Sequence, residues 1–328
     1  MSHGAAVHRD TPTGVAAPEK KSANLWGAIL AGGEGVRLRS LARRVCGDER
    51  PKQYVPLLAD RTLLRQTLDR VGLAIPASRT GVVTVRSHAA YLRADGLGAD
   101  GPRLLAQPGD RGTAAAILLA AHWVAREDPG ATIAIFPSDH FVQGEAAFMA
   151  HVERVAAWVD RHPDRLVLLG APAASPEVEY GWIEVGRRLA DQSEGSILEI
   201  RRFWEKPSAE EATRCLAAGC LWNTFVLVGR AAALVDAGRG ALPQIEESLA
   251  HAAPFLGTDD EDWALDHAYA SMPRANFSRA VLEPCPPCLA VSRLTNVTWS
   301  DLGNPRRVFE ILKRLPRLPS WAAIEEVR

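Results

Sequence analysis

From Leu25 to Leu30 the chain is an unbroken apolar run, and it ends in Ala31-Gly-Gly-Glu-Gly-Val-Arg-Leu38, with Arg50-Pro-Lys-Gln-Tyr54 close behind. A short apolar run bounded by glycines reads as a buried strand. The glycine-rich turn beyond it lets the backbone approach a ligand and point N–H groups at anionic oxygens. Six basic residues (Arg37, Arg39, Arg43, Arg44, Arg50 and Lys52) lie within the next stretch, enough positive charge for a triphosphate. The turn is not a P-loop, because G-x-x-x-x-G-K-[ST] is absent. Nor is it the dinucleotide fingerprint, because Leu38 stands where the third glycine belongs. Taken alone, a glycine turn could be an ordinary strand-to-helix connection and the basic residues a solvated face.

The rest of the chain repeats the strand-then-helix rhythm. Strands are expected over 26–30, 81–85, 104–107, 132–136 and 166–170, with helices over 63–71, 113–126 and 146–161 between them. That alternation predicts an α/β fold, a Rossmann-like and mainly parallel sheet with helices on both faces. Ligands of such sheets bind beyond the carboxyl ends of the strands. The glycine turn and Pro137-Ser-Asp-His140 both fall there. The second half is more mixed, with strands at 182–185, 197–204 and 221–228, and predicts a small substrate lobe. Ser208-Ala-Glu-Glu211 and Thr258-Asp-Asp-Glu261 read as capping boxes, and a last helix is expected over 306–313. The expected division is a disordered tail over 1–24, one catalytic domain over 25–315 and a C-terminal tail over 316–328.

With 328 residues and a net charge of −1, the chain can bury a large core and offers no electrostatic case for nucleic acid or an anionic membrane. No apolar stretch is long enough to span a bilayer, and the first residues lack the apolar centre of a secretory signal. Five cysteines do not suggest a disulfide scaffold, so a cytoplasmic location is expected. Cys285-Pro-Pro-Cys288 could be redox-active or half a zinc site, but no second C-x-x-C accompanies it, and reduced packing cysteines are the expectation.

Asp139, after an apolar strand, and Asp301, in Trp299-Ser-Asp-Leu-Gly303, are carboxylates from distant segments that could hold one Mg²⁺ or simply form turns. Gln107-Pro-Gly-Asp-Arg-Gly-Thr-Ala114 leads from a strand into a helix that Thr113 can cap, with early amides free for an anion or a base edge. Tyr180-Gly-Trp-Ile-Glu184 and Phe203-Trp-Glu-Lys-Pro207 offer carboxylates for hydroxyls and a lysine for phosphate, or a surface ion pair of little consequence.

Ala31-Gly-Gly-Glu-Gly-Val-Arg-Leu38 with Pro51-Lys-Gln-Tyr54 resembles the signature of the sugar-1-phosphate nucleotidylyltransferases, closest to the mannose-1-phosphate guanylyltransferases, with extra residues around 46–49. Pro-x-Asp-His, Trp-x-Asp-x-Gly, Tyr-Gly-x-Ile-Glu, Phe-x-Glu-Lys-Pro and Trp222-Asn223 are the further motifs of the resemblance. The resemblance implies a nucleotidyltransferase fold of the GT-A-like kind and an NDP-sugar made from an NTP and a sugar 1-phosphate. GTP and mannose 1-phosphate are the implied pair and Mg²⁺ the implied cofactor. It implies that Arg37 and Lys52 are catalytic, and that Ala31, Gly32, Gly33, Gly35, Gln107, Gly112 and Thr113 bind the nucleotide. Gly181, Glu184, Glu205, Lys206 and Asn223 would bind the sugar phosphate, and Asp139 and Asp301 the metal, with His140 supporting. A homo-oligomer is compatible with it; nucleic acid and membrane are not expected partners.

Two positions depart from the family pattern. Gly112 stands for an asparagine beside the purine, and Thr224-Phe225 for Ser-Gly beside the sugar, where a phenylalanine would crowd the pocket. They leave open thymidylyl or uridylyl transfer to another hexose 1-phosphate, and a non-catalytic nucleotide-sugar-binding paralogue. A glycosyltransferase would share the layout but not the Pro-Lys-Gln motif.

Overall fold

The computed structural model describes residues 24–97, 101–191 and 196–323. The expected N-terminal tail lies almost wholly outside them. In chain order the first part comprises β1 (Leu25–Leu30), α1 (Arg39–Cys46), α2 (Leu63–Val71), β2 (Thr80–Val85), α3 (Ala89–Ala94), β3 (Arg103–Gln107), α4 (Gly112–Glu127), β4 (Thr132–Pro137), β5 (Phe141–Gln143) and α5 (Glu145–Arg161). The second part comprises β6 (Leu166–Pro172), β7 (Gly181–Arg188), β8 (Ile197–Glu205), α6 (Ala209–Ala217), β9 (Leu221–Arg230), α7 (Ala231–Ala241), α8 (Pro243–Ala252), α9 (Glu261–Ala270), β10 (Leu289–Arg293), β11 (Thr298–Ser300), α10 (Pro305–Leu312) and α11 (Ser320–Ala323).

Nine strands share one sheet in the order β3-β2-β1-β4-β9-β6-β10-β8-β7. The first four are parallel, as the alternation predicts. Beyond β4 only β6–β10 is parallel and every other pairing is antiparallel, so the sheet is mixed rather than mainly parallel. The cause is β9, a long strand that pairs β4 with its second half and β7 with its first, while β6 runs along its other side. The pairings β9-β6-β10-β8-β7 thereby return to β9 and close a five-strand ring. The mixed half is thus continuous with the parallel half.

Alternation along the strands sorts the core. Trp26 and Ala28 face α4 and α7–α9, while Leu25 and Ile29 face α2, α3 and α5, so helices do cover both faces of this part of the sheet. A third cluster joins α1 and α10 around Leu38, Leu57, Leu302 and Ile311, and Trp321 packs against it with its indole N–H on the Pro56 carbonyl. Helix ends obey local chemistry. Thr62 and Asn304 cap α2 and α10, and the Ser208–Glu211 capping box opens α6 as predicted. The box predicted at Thr258 is not formed. Helix α9 starts at Glu261, whose carboxylate accepts from the Gly257 amide instead.

Candidate active site

The turn after β1 (residues 31–35), the carboxyl ends of β3 and β4, and the end of β8 open on one cleft of about 800 Å³. Its walls include Gly32, Gly33, Gly35, Arg37, Lys52, Gln107, Gly112, Thr113, Asp139 and Lys206, residues brought together from five separate motifs. Ala31 sits just behind, its carbonyl receiving Gln53 Nε2 at 2.9 Å. The same Nε2 donates to the Gly33 carbonyl at 2.9 Å, so the buried Gln53 amide fixes the shape of the turn. Gly35 is required there: its φ is +58°, and a Cβ would lie 2.7 Å from the Lys52 nitrogen.

Lys52 is buried, and its ammonium binds the Asp301 carbonyl at 2.6 Å and Asp139 Oδ2 at 3.0 Å. One cation thus joins the Asp139 carboxylate to the main chain at Asp301. The Asp301 carboxylate is heavily engaged. Its Oδ1 accepts from Tyr180 (2.8 Å), the Gly303 amide (2.9 Å) and Arg307 (2.9 Å), leaving Oδ2 a single contact to Arg307 at 3.1 Å. Burial alone would raise the Asp301 carboxyl, but His140, then Arg307 and Lys52, with the Tyr180 hydrogen bond, hold it below the usual range. Burial pushes the Tyr180 phenol far up, so it stays a donor. His140 is pulled down to about 4 by burial. Its Nδ1 accepts from the Trp299 indole at 3.3 Å, which leaves Nε2 to carry the proton toward Asp139 Oδ1 at 3.8 Å. Asp139 lines the cleft, whereas Asp301 lies behind it, reached through Gly303 and turned to Arg307; both are hard oxygen donors of the kind Mg²⁺ takes.

The wall at the start of α4 differs from expectation. Thr113 does not cap the helix; its hydroxyl accepts from the Phe277 amide at 2.9 Å, and Arg111 occupies the cap position without a side-chain bond. Two of the early amides are taken. Gly112 N–H binds Asp110 Oδ1 (2.7 Å) and Ala114 N–H binds the Ala275 carbonyl (3.2 Å). The cause is the segment after α9, which pairs with this loop and which nothing in the loop's own sequence announces. Gly112 adopts φ +83°, and a Cβ there would lie 2.3 Å from the Ala275 oxygen. Gln107 is buried, donating to the Thr84 carbonyl (3.1 Å) and accepting from Tyr269 (3.0 Å).

Lys206 and Phe225 form the far wall, and Gly181, Glu205 and Asn223 converge on one another without lining the cleft. A Cβ on Gly181 would be 3.1 Å from the Asn223 Cβ and 3.2 Å from Glu205 Oε2. Burial raises the Glu205 carboxyl, with Lys206 and Arg279 opposing. Glu184 is not brought in. One residue in two points each way along β7, so Glu184 shares the Trp182 face and its charge acts on Cys215 and Cys220 behind the sheet. Phe225 lines the cleft from an irregularity in β9 at φ +62°, a conformation glycine adopts without cost.

Of the six clustered cations only Arg37 and Lys52 reach the cleft. Arg39, Arg43 and Arg50 pair with Glu34, Glu49 and Asp48. Arg37 is itself held by Glu179, which also meets Arg307 at 3.4 Å. Sequence reading missed Gln53, Glu179, Arg307, Asp110 and Arg274. Gln53 lay inside the Pro-Lys-Gln motif and Asp110 inside the Gln107–Ala114 segment, so both could have been read; the others are surface-type charges whose roles arise from long-range pairing.

The sequence model of the family described as "Nucleotidyl transferase" matches residues 26–317. The chain belongs to this family. Among curated relatives, the "Xanthan biosynthesis protein XanB" of Xanthomonas campestris pv. campestris (strain B100) is 30% identical over 281 residues, covering 84% of this chain and 57% of that protein. The "Mannose-1-phosphate guanylyltransferase" of Klebsiella pneumoniae is 26% identical over 289 residues, covering 86% and 59%. The chain therefore spans less than three-fifths of the length of these relatives. Among solved structures, one described as "mannose-1-phosphate geranyltransferase" from Thermus thermophilus superposes with a TM-score of 0.73 at 31% identity, covering 87% of this chain and 79% of that one.

Proposed function

We propose that this chain transfers a nucleotidyl group from an NTP to a sugar 1-phosphate, giving an NDP-sugar and pyrophosphate, with GTP and mannose 1-phosphate as the substrate pair. The observation that carries the reading is the single cleft in which the glycine turn, Lys52 and Asp139 face Lys206. The named activities of the relatives support it.

The attacking sugar-phosphate oxygen is already an anion, so the reaction needs alignment and charge neutralisation more than a strong base. The glycine turn would hold the triphosphate and Lys206 the sugar phosphate. Lys52 would stabilise charge at the α-phosphate and Arg37, released from Glu179, the departing pyrophosphate. Asp139 and Asp301 would hold Mg²⁺, which when bound supplies charge neutralisation at phosphate oxygens. Gly181, Glu205 and Asn223 would contact sugar hydroxyls; Glu184, on the opposite face, is left out of that set.

Two observations favour a second reading, the same transfer with another base or hexose. Gly112 cannot carry the asparagine side chain of the family pattern against Ala275, and the Phe225 ring occupies the far wall. The test is a pyrophosphate-release screen of purified protein over GTP, ATP, dTTP and UTP, each with mannose 1-phosphate and glucose 1-phosphate, with and without Mg²⁺. The first reading expects the highest kcat/KM for GTP with mannose 1-phosphate. Release with a different pair selects the second, and no release with any pair refutes both.

A further inference from the structure

Outside the residues that line the cleft, Cys285 and Cys288 bracket two prolines in a short turn between α9 and β10. The two Sγ atoms lie 2.7 Å apart, and the Cys288 amide donates to the Cys285 carbonyl at 3.3 Å. Tetrahedral zinc ligands at the usual Zn–S length would stand about 3.7 Å from each other, so the pair is too close to share an ion. It is close to a disulfide bond of about 2.05 Å. Cys285 is exposed and Cys288 half-buried. Two prolines fix φ between them, so little backbone entropy is lost on closure.

The geometry points to Cys285 and Cys288 as a reversible thiol–disulfide couple, with the exposed Cys285 reacting first and Cys288 resolving. The co-reactant is an external disulfide, R–S–S–R. The Cys285 thiolate attacks one sulfur and expels R–S⁻, leaving a Cys285–S–S–R mixed disulfide. The Cys288 thiol then gives up its proton to the released thiolate, attacks Cys285 Sγ and expels the second R–S⁻. Two electrons pass to the external disulfide, which leaves as two thiols. Burial and the neighbouring Cys285 raise the Cys288 thiol to about 12, in keeping with its acting second. The couple does not depend on nucleotidyl transfer, but it adjoins the proposed sugar wall. Glu283, two residues earlier, accepts from the Glu205 amide at 3.3 Å.

The test equilibrates the full chain in glutathione buffers stepped from reducing to oxidising and back, then alkylates it and maps its cysteine peptides by mass spectrometry. The wild type should lose two hydrogens on the 285–288 peptide and regain them on reduction. Cys288→Ser should stall as a glutathione adduct on Cys285. Cys285→Ser should take up glutathione at Cys288 at least ~10-fold more slowly than Cys288→Ser does at Cys285. A dithiol that persists in fully oxidised glutathione, a disulfide that survives the reducing arm, or equal adduct rates in the two variants would overturn the couple. Circular dichroism of both serine variants checks that they remain folded.

Discussion

Lys52 is the residue on which the site turns, because one ammonium satisfies the Asp301 carbonyl and the Asp139 carboxylate at once. Replacing it by methionine should lower turnover by about 10²–10³, the range found when one preorganised charge donor is lost. Gly112 carries a different load. Its left-handed backbone and the Ala275 oxygen, 2.3 Å from any Cβ, predict that Gly112→Asn loses about 1–3 kcal/mol in chemical denaturation. An unchanged denaturation midpoint would show that the 271–277 segment gives way freely. Phe225→Gly keeps an allowed φ and removes the ring from the far wall. Relative kcat/KM among hexose 1-phosphates should shift by about tenfold or more while the KM for the nucleotide holds. Gly35 was legible in sequence because its left-handed backbone and its approach to the Lys52 main chain demand glycine. The face that Glu184 takes on β7 was not legible, because a motif gives order along the chain and not the face of the strand.

At the scale of elements, α5 and β10 meet through a buried His151, whose Nε2 lies 2.6 Å from Ser292 Oγ. Burial, with Arg154 nearby, pulls this imidazole down to about 4. The unfolded chain titrates near the ordinary histidine value of about 6.5. Below that value the unfolded state binds the extra proton first. The contribution is therefore complete above about pH 6.5 and is lost as pH falls toward 4, by about 2–3 kcal/mol. Urea midpoints at pH 7.5 and 4.5 should fall for the wild type and flatten in His151→Gln; equal falls in both would assign the acid loss elsewhere. Parallel strands β1–β4, with α2, α4 and α5, were readable from their apolar patterns, whereas the short α1 and α3 were not. The start of α4 was not, because the partner of Thr113 is a main-chain amide more than a hundred residues away.

At the scale of the whole molecule, two halves of one sheet face each other across the cleft. The parallel half ends in the glycine turn and Asp139, and the ring that closes through β9 presents Lys206 and Phe225. The mixed character of the sheet was hidden because β9 changes partner midway, a long-range property that no local pattern encodes. Among the described residues no helix is long and apolar enough to cross a membrane. The central claim is that this cleft aligns two phosphates for transfer. Its most direct test is pyrophosphate release from the active substrate pair by the wild type and by Asp139→Ala, with folding of the variant verified by circular dichroism. The account predicts Mg²⁺-dependent release matched mole for mole by NDP-sugar in the wild type, and a loss of at least about 10²-fold in the variant. Near-normal release from a folded Asp139→Ala protein would contradict it.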